Sequence, residues 1–134
     1  MSETRVLLVE DEPSYARFLR AVLSEVEGTV YRVTWVETLA DALVRLGSDA
    51  FDIILLDLGL PDADETEALT TVSAAAPATP IVVLSALNDL DIAIKSMRMG
   101  AQEYLVKGQS EHLLLPRAIR YASERKRLQD AAAT

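Results

Sequence analysis

The 134-residue chain contains no cysteine. That excludes a disulfide framework and any thiolate chemistry. Histidine occurs once, at His112, just before Pro116 near the start of a helix-like segment. A phosphotransfer role needs an exposed histidine on a helix, so His112 reads as a plain surface residue. No apolar run is long enough to cross a membrane. The start, Met1 to Arg5, is polar and lacks a signal-peptide layout. The chain also shows no internal repeat, no low-complexity linker and no second domain. These absences lead to the expectation of one cytoplasmic domain with one core.

What is present is a chain that is 50% hydrophobic, so disorder is disfavoured. The net charge of −8 disfavours indiscriminate contact with nucleic acid phosphate. Its plain reading is solubility, with a smaller share for an acidic cation pocket. The one basic cluster, Arg125, Lys126 and Arg127, reads as a solvated helix face.

Short runs rich in β-branched residues alternate with helix-like segments. Strand one is expected at Arg5–Val9, strand two at Tyr31–Val36, strand three at Ile53–Leu56, strand four at Ile81–Leu84 and strand five at Glu103–Val106. Between them, Tyr15, Phe18, Leu19, Val22 and Leu23 form the inward face of a helix over Pro13–Val26. Pro13 suits its first turn and Gly28 its stop. Thr38 caps a second helix, with Leu39, Ala42, Leu43 and Leu46 inward and Gly47 at its end. A third spans about Glu65–Ala75, with Ala68, Leu69 and Val72 inward. A fourth spans Asp89–Met99. A fifth begins around Leu113–Leu115, with Pro116 in its first turn, and runs to about Leu128. Trp35 is expected to be partly buried, Met97 and Met99 to pack, and Lys95 and Arg98 to be solvated. Five βα units argue for a parallel sheet with helices on both faces and right-handed crossovers.

In open α/β sheets, ligands bind beyond the carboxyl ends of the strands. Strand one ends in Glu10, Asp11 and Glu12, strand three in Asp57, strand four in Ser85 and strand five in Lys107. Acids at neighbouring strand ends repel unless a cation neutralises them. Mg²⁺ favours a few carboxylate oxygens and keeps several waters. A lysine supplies a positive charge suited to phosphate, and a serine hydroxyl can donate to it. Such parts suit phosphoryl transfer, with an Asp carboxylate as nucleophile.

The fragments "VLLVEDEP", "DIILLDLGLPD", "PIVVLSA" and "GAQEYLVKG" resemble, in order and spacing, the receiver domain of two-component response regulators. The resemblance covers about Arg5 to Tyr121. It implies an α/β, flavodoxin-like three-layer sandwich with a five-stranded parallel sheet of order 2-1-3-4-5 and five helices. It also implies that Asp57 accepts a phosphoryl group from a sensor histidine kinase or a histidine phosphotransfer protein. Asp11 would bind Mg²⁺ directly, with Asp57 and the Gly59 carbonyl as further ligands, and Glu10 through a metal-bound water. Lys107 would pair with the pocket or the phosphoryl group. Ser85 would bond the phosphoryl oxygen, and Tyr104 would turn inward with it. The face of helix four, strand five and helix five would change and engage a downstream protein, a linked output module or a second copy. The implied domain spans residues 1–122. Residues 123–134 are expected as a polar extension of helix five, too polar to bury a core stripe, and either a frayed end or the start of a linker to a further module.

Three positions depart from the family pattern. Glu10 stands where Asp is commonest, and Glu65 where Gly is frequent. Gly108 follows Lys107 where a proline, usually cis, is frequent, so a trans bond is expected here. Gly59 leaves space for an attacking water, while Leu87 offers no polar group to guide one. Competing readings remain: a receiver-like module acting by contact alone, a Mg²⁺-dependent phosphatase, or a flavin carrier. The phosphatase lacks a segment for a cap. The flavin carrier would need a phosphate loop unlike the acidic "EDEP".

Overall fold

A computed structural model describes residues 2–133. Met1 and Thr134, which the expected domain bounds include, lie outside the described residues. The elements run β1 (Ser2–Val9), α1 (Pro13–Ser24), β2 (Thr29–Val36), α2 (Leu39–Ser48), β3 (Ile53–Asp57), α3 (Glu65–Ala75), β4 (Ile81–Ser85), α4 (Leu90–Arg98), β5 (Glu103–Val106) and α5 (Glu111–Ala133). The strands pair in parallel, in the order β2-β1-β3-β4-β5. This is the flavodoxin-like arrangement of five strands and five helices.

β3 and β4 are buried along their whole length, and β1 over Val6–Val9, because helices cover both faces. Alternate side chains point to opposite faces. Val6, Leu8, Ile53, Leu55, Val82 and Leu84 pack under α1 and α5. Leu7, Val9, Ile54, Leu56, Ile81 and Val83 pack under α2 and α3. The sheet is therefore held rigidly from both sides, and so is whatever stands at its carboxyl rim.

Several boundaries differ from the sequence expectation, each for a physical reason. β1 begins at Ser2 rather than Arg5, because Ser2–Thr4 pair with β2 and need no apolar face. β3 and β4 run one residue further and take in Asp57 and Ser85. α1 stops at Ser24, and α4 is one residue shorter at each end. Phe18 is 43% exposed, since the buried stripe of α1 is Ala16, Leu19, Val22 and Leu23. Met97 is exposed too, whereas Met99 packs against the α2–α3 core.

The start of α5 needs the largest correction. It begins at Glu111, so Pro116 lies inside the helix rather than in its first turn. Left-handed backbone at Gly108 (φ 82°) and Ser110 (φ 57°) turns the chain early. The Ser110 carbonyl then accepts from the N–H groups of Leu113 and Leu114. At its far end α5 continues past Leu128. Arg125 donates to the Gln102 carbonyl and pairs with Glu103, and the Gln102 amide donates to Gln129. Lys126 pairs with Asp130 and Arg127 with Glu124, so the basic cluster is engaged in ion pairs. Beyond Ala122 no described residue of α5 is buried, in keeping with its polar sequence.

Candidate phosphoacceptor site

The carboxyl ends of β1, β3, β4 and β5 bring Glu10, Asp11, Asp57, Ser85 and Lys107 to one rim. Asp11, Asp57, Gly59, Glu65, Ser85, Leu87 and Lys107 line a cleft there of about 200 Å³. Glu10 is wholly buried beneath it, and Asp57 is 3% exposed. Asp11 is exposed at the mouth.

Lys107 Nζ lies 2.5 Å from Glu10 Oε1 and 3.2 Å from Asp57 Oδ1. The Gly59 N–H donates to Asp57 Oδ1 at 2.9 Å. Glu10 Oε2 accepts from the Glu12 N–H at 3.0 Å. Burial pushes the Glu10 carboxyl up to about 7, against the pull of Lys107 and the Glu12 N–H. Burial also opposes ionisation of Asp57. The Gly59 N–H, Asp11 and Lys107 together outweigh it and hold Asp57 below its ordinary value. Partial desolvation and the facing Asp57 carboxyl raise Asp11. For Lys107, burial works against the charge, but Glu10 and Asp57 prevail and raise its pKa.

The donor set fits a hard divalent cation. Glu10, Asp11 and Asp57 each offer a carboxylate oxygen, all within 4.8 Å of one another. Glu10 Oε1 is buried, and among the described residues it is met by the Lys107 ammonium. Three carboxylates against one lysine leave uncompensated negative charge, which oxygen-seeking cations neutralise.

Ser85 is buried, and its Oγ accepts from the Leu87 N–H at 3.1 Å. Tyr104 donates its hydroxyl to the Leu87 carbonyl at 2.7 Å. The Leu87 peptide is thus tied to both. The Lys107–Gly108 bond is trans, as expected. Gly59 leaves the carboxylate open: a Cβ there would lie 3.5 Å from Asp57 Oδ1, in ordinary contact. Trp35 donates its indole N–H to the Glu10 carbonyl at 2.8 Å. His112 is exposed and lies in the first turn of α5, on the helix rather than before it.

Three residues outside the sequence expectation support the rim. Tyr15, expected only as part of an apolar stripe, places its ring 4.7 Å from Lys107 Nζ. Glu111 Oε2 accepts from the Tyr15 hydroxyl and from the Gly108 N–H, both at 2.7 Å. Asp62 accepts from the N–H groups of Leu39 and Ala40, which fastens the β3–α3 loop to the start of α2. An acid in a helix's first turn and an Asp after a proline were the available signals, but neither names its distant partner.

A family model described as the response regulator receiver domain matches residues 6–119. The KDP operon transcriptional regulatory protein KdpE of Escherichia coli (strain K12) is 41% identical over 104 residues, covering 78% of this chain and 44% of that protein. The swarming motility regulation protein RssB of Serratia marcescens is 37% identical over 102 residues, covering 76% and 45%. This chain thus spans less than half the length of either curated relative. Among solved structures, the signal receiver domain of an HD domain-containing protein from Pseudomonas fluorescens Pf-5 superposes with a TM-score of 0.80 at 25% identity, covering 93% of this chain and 98% of that one. The strand order, the rim of acids with its lysine, and these matches agree: the chain belongs to the response regulator receiver domain family.

Proposed function

We propose that this chain is a phosphoacceptor switch that takes a phosphoryl group onto Asp57 in a Mg²⁺-dependent reaction. The donor is a sensor histidine kinase or a histidine phosphotransfer protein. The observation that carries the reading is the buried Asp57 carboxylate, kept ionised at the sheet rim by Lys107 and the Gly59 N–H. An ionised oxygen fixed by a rigid strand is a prepared nucleophile. It forms a P–O bond as the donor's P–N bond breaks, and the leaving imidazole nitrogen keeps the electron pair. Glu10, Asp11, Asp57 and the Gly59 carbonyl are the groups to hold Mg²⁺, which would offset charge on the phosphoryl oxygens. Lys107 adds a fixed positive charge, and Ser85 offers a hydroxyl. The chain catalyses only its own phosphorylation and dephosphorylation.

The output follows from the Leu87 peptide. A phosphoryl group on Asp57 adds acceptor oxygens beside Ser85. Turning Ser85 toward them gives up its bond from the Leu87 N–H and loosens the loop that the Tyr104 hydroxyl holds. The α4–β5–α5 face then changes, and a gap of only a few kcal/mol lets the two states exchange. That face engages a downstream protein, a second copy, or an output module linked through the α5 extension. In the same reading residues 1–122 form the receiver and residues 123–134 a polar extension of α5. The acidic chain itself contacts no nucleic acid directly, and a cytoplasmic location belongs to the same reading.

The test is incubation with phosphoramidate and Mg²⁺, read by intact mass. One base-labile phosphoryl adduct is expected, absent from Asp57→Asn. An adduct that survives the substitution removes Asp57 from the mechanism. No adduct at all favours a contact-only module, and turnover of phosphoesters favours an enzyme.

A further inference from the structure

We propose that Glu111 is a positioning residue for Lys107, acting through the Gly108 N–H and the Tyr15 hydroxyl. Its kinetic consequence rests on the phosphoacceptor reading above, while its geometric consequence does not.

Lysine is a flexible four-carbon stem with a point charge, so something must fix its aim. The chain leaves Lys107 through Gly108, whose φ of 82° is a conformation that glycine adopts freely. Gly108 brings an N–H that a proline there would lack. Glu111 Oε2 accepts that N–H at 2.7 Å and pins the backbone on the outgoing side of Lys107. The same oxygen accepts the Tyr15 hydroxyl at 2.7 Å. Tyr15 in turn lays its ring face 4.7 Å from the Lys107 ammonium, the arrangement that attracts a cation. One oxygen therefore fixes both the backbone behind Lys107 and the ring beside its charge.

The burial of Glu111 fits this role. It is 3% exposed, although carboxylates at a helix's first turn are ordinarily solvated. Tyr15 and Gly108, which donate to Oε2, lie outside α5, one on α1 and one on the loop after β5. On the incoming side, the Lys107 N–H donates to the Ser85 carbonyl at 2.8 Å. Lys107 is thereby held before and after, and its ammonium is directed at Glu10 and Asp57.

The test compares Glu111→Ala, Glu111→Gln and Tyr15→Phe, each alone and with Lys107→Ala. The first readout is the NMR displacement of the Lys107 ε-methylene protons by the Tyr15 ring current, which needs neither metal nor phosphodonor. The second is the rate of phosphorylation by phosphoramidate. Glu111→Ala is expected to return the Lys107 protons toward free-lysine values. It should also slow phosphorylation about ten- to a hundredfold, the range for a small misplacement near the chemistry. Glu111→Gln keeps an acceptor oxygen and should restore most of both. In the Lys107→Ala background, Glu111→Ala should slow the reaction no further, since a residue acting through Lys107 has nothing left to position. Unchanged Lys107 protons in folded Glu111→Ala overturn the proposal. So does equal slowing with and without Lys107, which marks a general structural role. If Glu111→Ala does not fold, Tyr15→Phe, which removes the second link alone, must displace the Lys107 protons or the proposal falls. If no chain takes a phosphoryl group, the functional reading fails, while the proton shifts still decide the placement of Lys107.

Discussion

Replacing Lys107 by methionine keeps much of the stem and removes the charge. Its ammonium lies 2.5 Å from Glu10 and 3.2 Å from Asp57, contacts worth about 5–7 kcal/mol each in gross Coulomb energy at an effective dielectric near 20. Desolvation of the buried groups offsets most of that. What the substitution exposes is the penalty of a buried Asp57 carboxylate with no cation beside a Glu10 that must take up a proton, about 3–5 kcal/mol when one partner of a buried pair is removed. In a chain of 134 residues, 3 kcal/mol lowers Tm by about 10 °C. The assay is urea and thermal unfolding of both proteins with chelator and with saturating Mg²⁺. The deficit should be large with chelator and shrink with Mg²⁺, because the metal replaces the missing charge and stabilises the folded state by mass action. A deficit under about 0.5 kcal/mol with chelator, the ordinary size of a surface substitution, would refute the claim that Lys107 holds the acids together. So would a deficit that Mg²⁺ leaves untouched.

Three further outcomes are expected. Bonds from the Gly108 N–H and the Tyr15 hydroxyl overcome burial and hold Glu111 below the ordinary 4.5; its stabilisation is complete above that value and is lost as pH falls through the lower folded pKa. The stability gap between the protein and Glu111→Gln should therefore narrow in unfolding curves taken from pH 6 down to pH 3, and a gap that widens would contradict it. Gly59→Leu places a side chain against the Asp57 carboxylate, so loss of the phosphoryl group, timed by intact mass after removing the donor, should slow several-fold by exclusion of water. Asp62→Ala strips the acceptor from the N–H groups of Leu39 and Ala40 and should cost about 1 kcal/mol in urea unfolding, the usual size of a lost cap.

The rim of the site was readable because Glu10, Asp57, Ser85 and Lys107 each follow an apolar run at once, with Asp11 next to Glu10. Asp57 after Ile53–Leu56 and Ser85 after Ile81–Leu84 needed only the rule that ligands sit beyond strand ends. The length of β1 was not readable, since Ser2–Thr4 carry no apolar run and gain their pairing from β2. The start of α5 was misplaced for a different reason. Proline favours a first turn, but left-handed Ser110 sets the start before it. Glu111 and Tyr15 are separated by 96 residues, and no local pattern encodes a hydrogen bond across such a distance. Local periodicity locates elements, while the contacts that aim a side chain arise only when the helices dock.

Trp35 is the chain's single tryptophan. Its indole bond to the Glu10 backbone carbonyl ties a natural fluorophore to the residue that carries the buried acid. Any ion that settles among those oxygens alters the electric field at the ring. The emission of this protein can thus serve as its own label-free gauge of cation loading, with no dye or tag to disturb the rim.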